Sequence, residues 1–262
     1  MAHHRPRKRF GQHFLNDQNI INKIIVSIEP VSSDHFVEIG PGRGALTRVL
    51  LDRIAELDAI EIDRDLADEL RTEITNPHLN VHQADALKFD FSQLANPTDA
   101  MRLAGNLPYN ISSPLLFHIL EHSRVFRDIH VMLQKEVAMR IAAEPGNRTY
   151  GRLTVALQAR CRVQILFNIK PGSFSPPPRV ESAFVRLIPD SERRAQITDE
   201  QAFNRLVTQA FNMRRKRVGN ALRTLVNDAD IEDLDIDPNN RAEQLDVESY
   251  IKLANFYAGK SE

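Results

Sequence analysis

The chain has 262 residues, of which 42% are hydrophobic and 26% charged, and its formal net charge is −1. This composition is typical of an ordinary folded protein and excludes wholesale disorder and a collagen-like or coiled-coil fibre. Every apolar run is shorter than the roughly 18 residues of a membrane helix, no apolar stretch follows the basic N-terminus, and the single cysteine, Cys161, excludes a disulfide framework. We therefore expect a cytoplasmic protein with no membrane partner.

The first predicted element is a helix, since isoleucines recur at helical spacing from Ile20 to Ile28 after Asn16 or Asp17 as its cap. Short apolar strands then alternate with helices. The predicted strands cover residues 35–39, 57–62, 79–83, 101–104 and 129–133. This alternation predicts an α/β fold with a mixed, mostly parallel sheet, and it places the ligand crevice at the carboxyl ends of the strands.

Two later segments, residues 163–168 and 182–188, alternate like antiparallel edge strands. Three prolines at 176–178 cannot lie inside a strand, so they predict a rigid loop. After Pro189 the pattern of apolar residues becomes helical, which predicts a small all-helical domain. We therefore predict two domains, residues 1–190 and residues 191–262.

A glycine-rich turn at residues 40–44 follows the first strand directly and opens a helix. Because glycine permits positive φ and a close approach to a ligand, Gly40 and Gly42 are candidate cofactor-binding residues. A tight structural turn is the alternative. Glu61 ends the second strand, where a carboxylate can accept from both hydroxyls of a ribose. Asp85 follows the third strand and can accept from an adenine amine.

Residues 105–112, which follow the fourth strand, are the most specific stretch of the chain. The exocyclic amine of adenine is a poor nucleophile because its lone pair is delocalised into the ring. Two acceptors aimed at its N–H groups would expose that lone pair, and the side-chain oxygen of Asn106 and the carbonyl of Leu107 could be those acceptors. Pro108 fixes the backbone, and Tyr109 can stack on a flipped base. A structural β-turn is the alternative.

A second aromatic residue, Phe174, precedes the three prolines on the stiff loop. Its ring could close over the other face of the base, and Arg179 could meet a phosphate. A hydrophobic plug beneath the turn is the alternative.

Charge is segregated along the chain. Residues 102–186 contain 12 Lys and Arg against 5 acids, whereas residues 52–73 contain 9 acids against 3 Arg. A basic face of this kind suits a polyanion such as RNA, although charge runs are also common on solvated helix faces. The candidate RNA-binding residues are Arg7, Lys8, Arg9, Arg179, Arg214, Arg215, Lys216 and Arg217.

In this order and spacing, the motifs resemble those of the KsgA-type small-subunit (16S) ribosomal RNA adenine N6-dimethyltransferase family. The matching stretches are residues 9–15, 38–42, 61–63, 85–86, 105–111, 133–136 and 174–180. The resemblance implies a Rossmann-like S-adenosylmethionine-dependent methyltransferase domain followed by a helical RNA-contacting domain. It places His13, Leu15, Gly40, Glu61, Asp85 and Asn106 at cofactor-binding positions, Asn106, Leu107 and Tyr109 at the catalytic position, and Phe174 at a second stacking position. Family members often have Asn where this chain has His13.

The reaction implied is the transfer of four methyl groups from S-adenosylmethionine to N6 of two adjacent adenosines in a hairpin loop near the 3′ end of 16S rRNA. The partner implied is the small ribosomal subunit or its precursor, with a role in subunit assembly. We expect in-line attack by a monomeric enzyme, with no metal and no dedicated general base. The alternatives are a resistance-type methyltransferase of large-subunit rRNA, an RNA-binding assembly factor without activity, and an NAD-dependent oxidoreductase.

Overall fold

A computed structural model describes residues 12–96 and 100–260 of the chain. None of the helices in these ranges is long and apolar enough to cross a membrane. The chain divides into two compact units. The first comprises Met1–Ala138 and Gln164–Pro189, and the second comprises Met139–Val163 and Asp190–Glu262.

This division differs from the predicted domains 1–190 and 191–262, because residues 139–163 group with the second unit. The physical reason is packing. Tyr150 and Val155, from the earlier segment, are buried in one hydrophobic cluster with Phe203 and Leu206 of the C-terminal region. The first unit ends at Pro189.

Strands and helices alternate through the first half of the chain. They are β1 (Phe14–Leu15), α1 (Gln18–Ile28), β2 (His35–Ile39), α2 (Ala45–Leu51), β3 (Glu56–Glu61), α3 (Arg64–Glu73), β4 (Leu79–Gln83), β5 (Met101–Asn106), α4 (Ser112–Glu121) and β6 (Phe126–Gln134). The later elements are α5 (Lys135–Ile141), α6 (Arg152–Gln158), β7 (Cys161–Ile169), β8 (Phe174–Ser175), β9 (Ser182–Pro189), α7 (Ser191–Ala195), α8 (Glu200–Asn212), α9 (Val218–Leu222), α10 (Asp228–Glu232) and α11 (Val247–Gly259).

The main sheet has seven strands in the order β4-β3-β2-β5-β6-β9-β7. The pairs β2–β3, β3–β4, β2–β5 and β5–β6 are parallel, and β9 joins β6 antiparallel. The mixed, mostly parallel sheet is therefore confirmed. One detail was wrong: β9 lies between β6 and β7, so only β7 of the two predicted edge strands is at the edge.

The strand order reverses at β2, because β3 pairs with one side of it and β5 with the other. In such sheets a crevice opens beyond the carboxyl ends of the two diverging strands. Phe36, Val37 and Ile39 of β2 are at most 2% exposed, as expected for a strand covered on both faces. The fold therefore places a binding crevice next to the glycine-rich turn that follows Ile39.

Helix α1 forms where the isoleucine spacing predicts it. The Asp17 side chain accepts hydrogen bonds from the backbone N–H groups of Asn19 and Ile20, which caps the helix. Four residues form its buried face: Ile21, Ile24, Ile25 and Ile28. Burial of this face fixes the chain just before β2.

The second unit is a helical assembly around its own core. Phe203, Leu206 and Leu253, from α8 and α11, are fully buried there. The buried Tyr250 hydroxyl donates to the Ala242 carbonyl oxygen at 2.7 Å, which satisfies the one polar atom of that side chain. This unit is therefore a folded body with its own hydrophobic core.

Candidate active site

A cavity in the first unit lies beyond the carboxyl ends of β2, β3 and β5. Ten of the eleven residues that we predicted to be catalytic or cofactor-binding line it. They are His13, Leu15, Gly40, Gly42, Glu61, Asp85, Asn106, Leu107, Pro108 and Tyr109. The exception is Phe174.

The glycine-rich turn forms one wall of the cavity. Gly40 and Gly42 have φ of +67° and +58°, which residues with a side chain rarely adopt. A Cβ atom on Gly42 would lie 2.8 Å from Cδ1 of Phe14. Position 42 thus requires glycine for two reasons: its φ is positive, and any side chain there would collide with the Phe14 ring.

Glu61 closes the next wall at the end of β3. Its Oε2 accepts the Gly42 N–H at 3.2 Å and its Oε1 accepts the Asp63 N–H at 2.9 Å, so the acid is tied to the glycine-rich turn. Burial, with a smaller contribution from the charge of Asp63, raises the pKa of Glu61. Each carboxylate oxygen can accept a second hydrogen bond, as binding of a ribose diol requires.

Asp85 follows β4 at the same edge of the sheet. Its Oδ1 accepts the backbone N–H of Leu87 at 3.0 Å, which fixes the carboxylate at the start of the turn. Asp85 lines the cavity together with Glu61, so two acceptors from successive strand ends face one space.

Asn106 ends β5 and has a defined orientation. Its Nδ2 donates to the His13 carbonyl oxygen at 2.7 Å, which leaves Oδ1 as the atom that can accept from a ligand. The backbone N–H of Leu107 donates to the Met132 carbonyl oxygen at 3.2 Å and anchors the turn against β6. An acceptor side chain is thereby held at the cavity wall.

His13 and Tyr109 form an aromatic pair at this wall, with ring centroids 5.6 Å apart and planes inclined by 30°. The Nδ1 atom of His13 lies 2.7 Å from the Pro176 carbonyl oxygen, so Nδ1 carries a hydrogen and donates it to that oxygen. The Tyr109 hydroxyl forms a hydrogen bond with the Ser182 hydroxyl, and burial raises its pKa. The tyrosine is thereby held as a neutral ring.

Phe174 is placed differently from the predicted stacking residue. Its side chain is 2% exposed and belongs to the hydrophobic cluster that also contains Leu15 and Phe184. In the short antiparallel pair of β1 and β8, Phe174 is the register partner of Leu15. The structure therefore packs this ring behind the cavity wall and not on its surface.

Several cavity residues lie in the motifs of the sequence analysis but were not named as site residues, and Glu38 is the most unusual of them. It is 3% exposed and lies two residues before Gly40, between the buried apolar residues Val37 and Ile39 of β2. The signal available in the sequence was an acid inside a buried strand. Phe14 and Arg43 also line the cavity, with the guanidinium carbon 5.2 Å from the Phe14 ring centroid.

The candidate RNA-binding residues divide into three groups. Arg7, Lys8 and Arg9 lie outside the described residues. Arg214 and Arg217 have acidic partners, Glu243 at 3.4 Å and Asp228 at 2.9 Å respectively. Arg179, Arg215 and Lys216 are exposed, and none of the three forms an ion pair with another residue that the structure describes.

In the described part of the chain, one group of side chains has metal-ligand spacing: His35, Glu56 and Asp58. It lies at the starts of β2 and β3, the ends of the strands opposite to the cavity. The Asp58 carboxylate forms hydrogen bonds with His35 and His82, at 2.5 Å each. Burial raises the pKa of Asp58, but the hydrogen bonds and charges of the two histidines outweigh it and lower that pKa, and each carboxylate oxygen has a partner.

Comparison with known proteins identifies the family. A family model described as ribosomal RNA adenine dimethylase matches residues 3–259. The chain belongs to the ribosomal RNA adenine dimethylase family. It is 49% identical over 261 residues to the ribosomal RNA small subunit methyltransferase A of Hydrogenovibrio crunogenus, with 98% of each chain covered. It is also 49% identical to the protein of the same name from Pseudomonas aeruginosa, with 96% of this chain and 94% of the relative covered.

Solved structures of similar fold place this dimethylase among S-adenosylmethionine-dependent methyltransferases of the Rossmann-like type. A dimethyladenosine transferase from Plasmodium falciparum superposes with a TM-score of 0.83 at 30% identity, covering 95% of this chain and 98% of that one. The 23S rRNA methyltransferase ErmE superposes with a TM-score of 0.70 at 24% identity, covering 94% and 99%. The second likeness extends to the fold alone, so the dimethylase fold is common to enzymes with different rRNA targets.

The cavity fits S-adenosylmethionine by the chemistry of its donor and acceptor groups. The positive-φ glycine turn lets the backbone approach a ligand, and a Cβ at Gly42 would collide with Phe14, which lines the same cavity. Glu61 and Asp85 offer acceptors suited to a ribose and an adenine amine. These residues would hold the cofactor, which supplies a methyl group already activated on a sulfonium.

Proposed function

We propose that this dimethylase transfers four methyl groups to N6 of two adjacent adenosines in a hairpin loop near the 3′ end of 16S rRNA, in the small ribosomal subunit or its precursor. The observation that carries the proposal is the orientation of Asn106, whose Nδ2 is occupied by the His13 carbonyl while Oδ1 remains an acceptor at the cavity wall. The names of the relatives from Hydrogenovibrio and Pseudomonas support the small subunit as the target.

Asn106 and Leu107 act on the target amine. Oδ1 of Asn106 and the carbonyl oxygen of Leu107 accept from the two N–H groups of the adenine amine, which favours a pyramidal nitrogen with its lone pair exposed. Pro108 restricts the backbone that carries the Leu107 carbonyl, so the acceptor is aimed before the base enters. The nitrogen loses its proton to water after transfer, and the chain needs no dedicated base or metal for this.

Tyr109 positions the base. Its ring lies at the cavity wall and is held by hydrogen bonding to Ser182, which suits stacking against a base that has left its helix. Phe174 lies behind that wall, and it supports the site through its cross-strand partner Leu15, which lines the cavity.

Exposed basic residues provide the contacts with rRNA phosphates. Arg179, Arg215 and Lys216 are the described candidates, and Arg7, Lys8 and Arg9 extend the set at the N-terminus. Such contacts add salt-dependent affinity without reading sequence. We further propose that the enzyme is a cytoplasmic monomer that acts during assembly of the small subunit.

The decisive experiment supplies labelled S-adenosylmethionine to purified small or large ribosomal subunits that lack the modification. The wild type should place dimethyladenosine in the 3′-terminal hairpin of 16S rRNA, mapped by nuclease digestion and mass spectrometry. Asn106→Ala should reduce transfer by at least about 100-fold, because it removes an acceptor used at the reacting nitrogen. Asn22→Ala, at an exposed position on α1, is the matched control and should retain transfer.

The other outcomes separate the alternatives. Label on the large subunit would move the dimethylase to the class that includes the ErmE protein. Tight binding to small subunits without transfer, despite bound cofactor, would leave an assembly factor. Full activity of Asn106→Ala would contradict the role proposed for this side chain.

A further inference from the structure

Glu38 is a buried acid that the proposed chemistry does not use. It lies in the middle of the sheet, and its register partners on either side are Ala59 of β3 and Ala104 of β5. The side chain is 3% exposed, yet it lines the cofactor cavity. An ionised carboxylate in such a place is costly unless a positive charge accompanies it.

The neighbours of Glu38 do not supply that charge. Thr47 of α2 donates its hydroxyl to Oε2 at 2.6 Å, and the charged group that acts on the pKa of Glu38, Glu61 of β3, is another acid. Among the described residues that line the cavity, Arg43 is the one cation, and the acids are Glu38, Glu61 and Asp85.

These surroundings determine whether Glu38 carries a proton in the protein without a ligand. Burial raises the pKa of Glu38 to about 7, the Thr47 hydrogen bond opposes this, and the negative charge of Glu61 adds to it. Because Oε2 accepts from Thr47, the proton is held on Oε1. Below about pH 7 the cavity of the free dimethylase therefore holds Glu38 mostly as a carboxylic acid, which a new positive charge can ionise.

We propose that Glu38 distinguishes the methyl donor from the demethylated product by charge, releasing its proton to solvent when a sulfonium-bearing ligand enters the cavity and keeping it when the neutral thioether enters. A sulfonium carries a fixed positive charge, and a buried carboxylate that faces the same space is stabilised in its ionised form by that charge. Loss of the methyl group removes the charge, so Glu38 takes a proton back and the product is held less strongly. The inference rests on use of S-adenosylmethionine but not on the identity of the RNA.

The test is calorimetric titration of the full-length protein with S-adenosylmethionine and with S-adenosylhomocysteine at pH 6.5. Phosphate and imidazole differ in ionisation enthalpy, so the two buffers together give the number of protons released. The sulfonium ligand should release about 0.8 proton more than the thioether, because that is the protonated fraction of an acid at a pH half a unit below its pKa. Between pH 6 and pH 8 the preference for the sulfonium ligand should rise about tenfold.

Glu38→Gln is the decisive variant, because it keeps the size of the side chain and an acceptor for Thr47 but cannot ionise. The extra proton release should disappear, and the ligand preference should no longer change with pH. A purely structural role for Glu38 would alter stability without altering the proton count. A thermal melt checks that the variant folds.

Thr47→Val provides a second, independent readout. Removal of the hydroxyl donor destabilises the ionised carboxylate, so the pH midpoint of proton release should move upward while the release itself persists.

Two results would overturn the inference. One is equal proton release with both ligands in the wild type, and the other is extra release that survives in Glu38→Gln. Either would leave the methyltransferase function intact, whereas failure of the wild type to bind either ligand would contradict both.

Discussion

At the residue scale, the amino ends of the strands hold a buried charged network. Arg102 of β5 contacts the carboxylates of Asp34 and Asp128 at 2.8 Å each, and its Nη2 donates to the Ile28 carbonyl oxygen at the end of α1. All three charged side chains are at most 5% exposed. Arg102 is far from Asp34 and Asp128 in the chain, so these ion pairs could not be predicted from the sequence.

His130 lies beside this network on β6 and leads to a prediction about pH. The ring is fully buried, neither nitrogen has a hydrogen-bond partner within residues 12–96 and 100–260, and burial lowers its pKa to about 4. The pKa of this histidine in the unfolded chain is 6.5, so below that pH the unfolded chain binds a proton that the folded protein does not. The free energy of unfolding is therefore unaffected by His130 above pH 6.5 and falls by about 3 kcal/mol in total as the pH drops toward 4.

His130→Leu should therefore flatten the decline of unfolding free energy between pH 6.5 and pH 4.5, measured by urea denaturation. His78→Leu, at an exposed imidazole, is the control and should follow the wild-type profile. Parallel pH profiles for His130→Leu and the wild type would show that His130 titrates normally in the folded protein.

At the element scale, the contact between β5 and β2 depends on a glycine. A Cβ on Gly105 would lie 2.5 Å from the Ile39 carbonyl oxygen, and this neighbour is backbone that cannot move aside without disturbing β2. Gly105→Ala should lower the free energy of unfolding by about 2–3 kcal/mol.

The matched control is Gly172→Ala, since nothing lies within 4 Å of a Cβ at that position. Its effect should stay within about 0.5 kcal/mol. Chemical denaturation of the two variants measures the difference. Equal unfolding midpoints would mean that β2 and β5 can separate without cost.

Interior parallel strands were predictable because most of their residues are apolar, as Phe36, Val37 and Ile39 are in β2. The glycine-rich turn, Glu61 and Asp85 could be predicted to lie together because each is at the carboxyl end of a parallel strand, and these ends meet at one edge of the sheet. The placement of β9 between β6 and β7 was not, because alternation does not specify which strand is the neighbour. Burial of Phe174 depended on its partner Leu15, 159 positions earlier in the chain.

At the scale of the whole molecule, the net charge of −1 conceals exposed basic residues that lack acidic partners in the described structure. Lys216 is one of them, and a phosphate contact there releases counterions. Lys216→Ala should reduce the slope of log affinity for small subunits against log salt concentration by about 0.7–0.9. Lys252→Ala removes an exposed lysine from α11 as the control, and we expect the wild-type slope for it.

This prediction concerns affinity and not chemistry, so methyl transfer at saturating subunit concentration should be unchanged in both variants. If Lys216→Ala kept the full salt dependence, the contact with RNA would have to be assigned to other basic residues. Arg214 and Arg217 are weaker candidates, because each already has a carboxylate partner.

The short pairing of β1 with β8 has a consequence for the order of events in a catalytic cycle. Leu15 and Phe174 are cross-strand partners, His13 bonds the Pro176 carbonyl, and the same His13 holds the Asn106 amide. The wall of the cavity, the loop of residues 174–180 and the Asn106 side chain, which we propose as an acceptor for the target amine, are thus linked by direct contacts. A base that displaces the loop on entry would move Asn106 with it, so filling the cavity first would set the geometry that the base then meets.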